Sequence, residues 1–462
     1  MSIWGWHGRS AVMRVESITC RIAAAAVPLA YADLPRAVTD KAKLLIADLL
    51  LVAAAGKGEA SSLSMSRALG RATGSSHVWF ADRRESGSAM DVAFLNTLHA
   101  GALDYDSLNG AVHADLVTLP AAWAVAEAYG RSPAEMITAY VAASELVSRL
   151  SRCSAGPSRG WSGTSLYGGI GAALASGLLM RLDVAQLTHA LGLAAVQASG
   201  TQQANVEQTL AKRLQPAFAA RNGVFAAQLA HAGATAPAQA LEGKFGLRAL
   251  YQAGNDDGVL EGWGHTWQIL DTAIKGFPVC ACSHAAIQAL LDLKAETQCR
   301  AGDVVKVVAT ISPFMQRLVG GDFSLQGDLQ VVAQFNLRYH LASVLLRGPI
   351  SLAALAPAAL GDDAVRSLVS RIHLVVDPDN PNELAPASIA LTLSDGRTLA
   401  RTCAVLPGSA QAPMPEQQWQ DKLHACAAHA QPALSEPRLA DLLRALDVLP
   451  TLPGLQSVWE VA

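Results

Sequence analysis

The segment LHAGALDYDSLNGAVHAD places Asp104, Asp106 and His113 in one short stretch broken by an Asn109-Gly110 turn signal. Carboxylates beside an imidazole form a general acid–base set, because their mutual charge interactions tune pKa values toward neutrality. The same spacing also suits a polar loop whose aspartates cap helices. A second segment, TLAKRLQPAFAARNG, clusters Lys212, Arg213 and Arg221 in an otherwise cation-poor region. Such cations pair with substrate carboxylates or stabilise the charge that develops when an α-proton leaves. A solvated helix face would have the same composition.

A third segment, KGFPVCACSH, carries Lys275, Cys280, Cys282 and His284 where Gly276 and Pro278 argue against regular helix. Its C-x-C-x-H spacing is an incomplete ligand set with no second cluster in reach, so no metal is expected. A redox pair would favour C-x-x-C beside a βαβ pattern, which is missing here. Gly168-Gly169-Ile170-Gly171 satisfies neither the dinucleotide nor the P-loop fingerprint, and no cofactor is expected.

These segments need a scaffold. The chain has 462 residues, 51% hydrophobic and only 16% charged, enough for a large core and two or three domains. A net charge of −3, with both signs spread along the chain, excludes a polybasic surface, and nucleic acid is not an expected partner. Seven scattered cysteines do not make a disulfide framework, which points to a reducing compartment, the cytoplasm. The most apolar run, LYGGIGAALASGLLM, is too short to span a membrane and is rich in glycine; it reads as a buried helix. Arg9, Arg14 and Arg21 followed by IAAAAVPLAYA could pass for a signal peptide, but Glu16 and Pro28 weaken that reading. A first amphipathic helix is expected instead.

From about residue 17 to 270 the periodicity is helical almost throughout. SPAE at 132–135 is a capping box with proline at the first helical position, and Asp183 can cap the next run. The texture then changes: DVVKVVATIS, SRIHLVVD, ASIALTL and RTLARTCAV read as strands, the last two as a hairpin around Asp395-Gly396, with YHLASVLLRG and AVRSLVSRI as helices between. The fold class is therefore mainly α with an α+β insert. The expected division is a helical domain over 1–269, an α+β lid over 270–402, and C-terminal helices over 403–462 that return to the helical domain.

In their order and spacing, LAYADLPRAVTDKAKLLIADLLLVAAAG, LHAGALDYDS, His113 with VTLPAAWAVAEAYGRSPAEMITAYVAASELVSR, AKRLQPAFAARNG, KGFPVCACSHAAIQAL and AQFNLRYHLASVLLRG resemble the MmgE/PrpD family across nearly the whole chain. The resemblance implies a homodimer with its active site between a helical domain and a lid. It implies that Asp104, His113, Lys212, Lys275 and Tyr339 are catalytic, with Asp106, Ser107, Ser162, Arg213 and Cys280 as substrate-binding lining. Ser107 or Leu108 falls where the family often has threonine. Ser162 and Cys280 stand where relatives have histidines, and Ala114-Asp115 replaces a proline and glycine.

The expected activity is a metal-independent lyase that removes a proton α to a carboxylate of a small di- or tricarboxylic acid, as a 2-methylcitrate dehydratase-like hydro-lyase would. His113 or Lys212 would be the base and Asp104 its tuner, with Lys275 and Tyr339 binding carboxylate or protonating the leaving group. The alternatives are an iminodisuccinate epimerase-like isomerase, using the same carbanion, and a non-catalytic organic-acid binder.

Overall fold

The computed structural model describes residues 17–69, 74–81, 86–155 and 159–461. Part of the signal-peptide-like stretch lies outside them. Its remainder forms a helix, Ile18–Ala26, capped by Ser17, with Ile18, Cys20, Ile22, Ala23 and Ala26 buried.

Local start signals set the long helices. Ser132 Oγ accepts the Glu135 N–H at 3.2 Å while the Glu135 carboxylate accepts the Ser132 N–H at 2.9 Å, and Pro133–Arg152 runs on from that box. Asp183 and Gln186 make the reciprocal pair that opens Val184–Val196. The apolar glycine-rich run becomes the buried helix Gly163–Leu179. Its partner is Ala211–His231, and the contact is close enough that a Cβ on Gly223 would sit 2.5 Å from Gly169 O. Only glycine fits there, so this approach fixes where the start of Ala211–His231, with Lys212, must lie.

The sheet is four-stranded, in the order β4-β3-β5-β6, with β3 Val304–Ile311, β4 Ile372–Val376, β5 Ala387–Leu393 and β6 Thr398–Cys403. β3 and β4 are parallel, joined by a helical crossover; the β5 pairings are antiparallel. Strict alternation buries Ala387, Ile389, Leu391 and Leu393 on the face covered by His284–Thr297, while Ser388 and Thr392 bond Thr402 and Thr398 across the open face. A two-stranded ribbon, β1 Ser76–His77 with β2 Ser86–Gly87, sits in the part expected to be purely helical; strands this short leave no period in the sequence. Glu416–His429 packs back on Arg36–Lys57. Among the described residues no helix is long and apolar enough to cross a membrane.

Candidate active site

The loop between helices Ala89–Gly101 and Ala114–Ala128 carries Asp104, Asp106 and the helix-capping position His113. Asn109-Gly110 closes it, with Gly110 at φ 57° and paired backbone bonds between Asn109 and Val112. The loop is stapled to the segment leading to Lys275 by reciprocal Leu108–Ala273 backbone bonds of 3.0 and 2.8 Å. The three segments of chemical interest therefore meet because backbone pairing and helix packing bring them there.

Asp104 is the hub. It is a non-glycine residue at φ 50°, a left-handed conformation that Asp tolerates better than most residues. One carboxylate oxygen is ion-paired to Lys212 Nζ, and the other lies 2.9 Å from Lys275 Nζ, which also donates to Asp104 O at 2.7 Å. Burial opposes ionisation of Asp104, but Lys212, Lys275 and His113 overcome it and hold the carboxyl far below the usual range. Burial likewise disfavours the Lys275 ammonium, yet Asp104 and Asp106 raise its pKa above the ordinary value. Lys212 lies 4.8 Å over the Phe335 ring.

His113 forms the second half. Its Nδ1 lies 2.6 Å from Asp106 Oδ2 and 3.1 Å from Ser107 O, two acceptors, so Nδ1 carries a hydrogen and Nε2 is the ring nitrogen left to exchange a proton with a ligand. Nε2 makes no hydrogen bond among the described residues. Asp106 is buried, which opposes its ionisation, and His113 and then Lys275 bring its pKa below the ordinary value. Asp104, Asp106 and Lys275 side chains are 1–2% exposed, against 18% for Lys212 and 20% for His113. The accessible edge is thus a cation and an imidazole above a floor of compensated charge.

The remaining expected residues divide between this cluster and its surroundings. Asp106 Oδ2 is taken by His113, while the buried Oδ1 has no hydrogen-bond partner among the described residues. Ser107 Oγ donates to Asp115 at 2.7 Å, and Asp115 also accepts from Tyr140 and Ser144. Arg213 is buried but bonds Ser61, Gln330 and Gln334, bracing the helix start. Arg221 lies on the half-exposed face, 3.7 Å from Asp91. Tyr339 is not brought to the cluster: its hydroxyl donates to Ala354 O and its ring stacks on Phe323. Ser162 sits at the start of Gly163–Leu179 with its hydroxyl 3.2 Å from that of Ser165. Its neighbour Thr164, which sequence reasoning missed, accepts the His113 N–H at 3.0 Å. His284 opens its helix and bonds Val279 O, as expected of a residue that pins that helix. Cys280 is buried, and its neighbours Cys282 and Lys275 outweigh burial and Asp104 and lower its pKa, while the Cys282 thiol donates to Glu383 O at 3.8 Å.

Residues 20–259 match the MmgE/PrpD N-terminal domain and residues 277–447 match the MmgE/PrpD C-terminal domain. The chain belongs to the MmgE/PrpD family. It is similar to the cis-aconitate decarboxylase-like protein oryM of Aspergillus oryzae, 28% identical over 421 residues that cover 85% of this chain and 87% of that protein. It is also similar to a cis-aconitate decarboxylase of Aspergillus terreus, 24% identical over 474 residues and 95% of each chain, and to the cis-aconitate decarboxylase of Homo sapiens, 27% identical over 352 residues and 72% of each. Within this MmgE/PrpD chain, Asp104, His113 and Lys212 fall in the N-terminal match, while Lys275 lies in the short join before the C-terminal one.

Proposed function

We propose that this MmgE/PrpD protein is a metal-independent lyase that transfers a proton at the carbon α to a carboxylate of a small di- or tricarboxylic acid. The observation that carries the reading is the accessible His113 Nε2, oriented by Asp106, beside the Lys212–Asp104–Lys275 ion cluster. In this reading Lys212 receives the substrate carboxylate and stabilises the charge that grows on it as His113 takes the proton. Lys275, enclosed and bound to both the carboxylate and the carbonyl of Asp104, holds the hub rather than the substrate. The β-carbon–oxygen bond then breaks as the α,β double bond forms, and the leaving hydroxyl takes the proton that His113 holds and departs as water, a hydro-lyase reaction of the 2-methylcitrate dehydratase kind.

A second reading, decarboxylation, is favoured by the activity named for the relatives. There the protonated His113 would deliver a proton to the carbon that loses carbon dioxide. The test is a panel of hydroxylated and unsaturated tricarboxylates, monitored for water loss, carbon dioxide release and deuterium uptake from solvent. Water loss from a hydroxylated acid, with exchange abolished in His113→Asn, supports the first reading. Carbon dioxide release from an unsaturated acid supports the second, and no turnover of any panel member refutes both. The homodimer that the family resemblance implies is tested by light scattering on the eluted protein.

A further inference from the structure

The short run Asp104-Tyr105-Asp106 does two jobs in opposite directions: Asp104 faces the two lysines, Asp106 faces His113. The residue between them therefore fixes the angle between the two halves of the site. Lys275 holds the carbonyl of Asp104, and the next carbonyl, Tyr105 O, is held at 3.0 Å by Lys422 Nζ. Lys422 arrives from the far end of the chain, on helix Glu416–His429. It is 3% exposed, and its ammonium lies 4.2 Å from the Tyr105 ring centre. Asp48, 1% exposed on Arg36–Lys57, balances its charge at 2.5 Å. The Tyr105 hydroxyl bonds Gly276 O at 3.3 Å, beside Lys275.

We infer that Lys422, charge-balanced by Asp48, is a positioning residue that holds the Tyr105 peptide so that Asp104 and Asp106 face their separate partners, making the returning C-terminal helix part of the active site. Stability alone does not account for such a pair. Enclosing two charges costs roughly what their attraction returns, and apolar replacement of a buried ion pair is often neutral or stabilising. What an apolar pair cannot supply is a donor to Tyr105 O. Without it the left-handed Asp104 and its neighbours lose one of the bonds that hold them, and displacements of ~1 Å at a reacting group cost on the order of a hundredfold in rate.

This inference rests on the lyase reading for its effect on turnover, so the test has two readouts. In the full chain, Asp48→Leu/Lys422→Met is compared with wild type for melting temperature, kcat and KM, and for amide hydrogen exchange over residues 102–109. The expected result is a melting temperature near wild type, KM within about threefold, kcat lower by about tenfold to a hundredfold, and faster exchange in the loop. A folded variant with wild-type kcat and wild-type exchange overturns the inference. If wild type turns over nothing, the lyase reading fails while exchange still decides the positioning role: faster exchange supports it and unchanged exchange refutes it. Should the apolar pair not fold, Asp48→Asn/Lys422→Gln serves instead: its amides can bond each other, but the shorter side chain falls short of Tyr105 O, and the same two outcomes apply.

Discussion

Asn109-Gly110 and Asp395-Gly396 each place a glycine in the left-handed region, at φ 57° and 86°, in a two-residue loop closed by Asn109 and Val112 and a three-residue loop closed by Leu393 and Arg397. Their partners differ. Among the described residues Asp395 bonds the neighbouring Arg397, through its backbone N–H at 3.0 Å and its Nε at 2.7 Å, and the hairpin tip is exposed. Asn109 is buried, and its amide reaches Gln268 O at 2.6 Å and Thr272 Oγ1 at 3.1 Å while accepting from Arg152 at 3.0 Å. Turn chemistry shapes both loops, but only remote partners make one of them present charged groups in a fixed geometry. That is why Asp104, Asp106 and His113 can act together, and why the hairpin tip can vary freely.

The comparison breaks most sharply at the charges that the buried loop carries. Asp106→Asn replaces the acceptor-only carboxylate that sets the His113 tautomer with a neutral amide that can also donate to Nδ1, and Lys212→Met removes the accessible cation. Each is expected to lower kcat by about a hundredfold to a thousandfold in steady-state assays, with the fold retained. An unimpaired Lys212→Met would end the carboxylate role assigned to it. Asn109→Ala tests the anchoring itself: with its long-range bonds gone and buried partners left unpaired, unfolding by urea should show a loss of about 1–3 kcal/mol.

Acid sharpens the contrast between burial and local bonding. Burial lowers His99 to about 3, with Lys57 adding to it; burial and then Lys275 lower His284 to about 3; and burial lowers His340 to about 4. Each stays neutral when folded but takes a proton once unfolded, so the stability it contributes is present above pH ~6.5 and is lost as pH falls toward its folded value. Burial raises the Asp48 and Glu145 carboxyls, which act with the opposite sign, so the histidine share is read by difference. Between pH 7 and 5, wild type should lose more stability than His340→Gln, by up to about 1.4 kcal/mol per pH unit. Asp395 is also lowered, first by its bond from the Arg397 backbone, but it is fully exposed. The smallest effect is therefore expected at the hairpin: Asp395→Ala should leave both kcat and melting temperature unchanged within error, and a clear loss of activity would mean that the tip is not independent of the site.

Much of the fold was legible from short-range signals. Ser132 with Glu135, Asp183 with Gln186, the alternation of ASIALTL and the Asp-Gly hairpin all act over a few residues, so the sequence carries them openly. The site was legible only as segments. Spacing placed Asp104, Asp106 and His113 together, and family resemblance added Lys212 and Lys275. Nothing local could show that Asp106 serves His113, that the Tyr339 hydroxyl turns to Ala354, or that Thr164 rather than Ser162 meets His113.

The sequence by itself determined where helices and strands begin, which faces are apolar, and which residue types are available for proton transfer. The tertiary structure alone decided which charges pair: Lys212 and Lys275 on one aspartate, and Lys422 with Asp48 beneath its neighbour. The physical reason is one of range. Caps, turns and alternation are settled by neighbouring atoms along the chain, whereas a buried charge is stable only beside whatever partner the packed core delivers, and here those partners come from segments far apart in the chain.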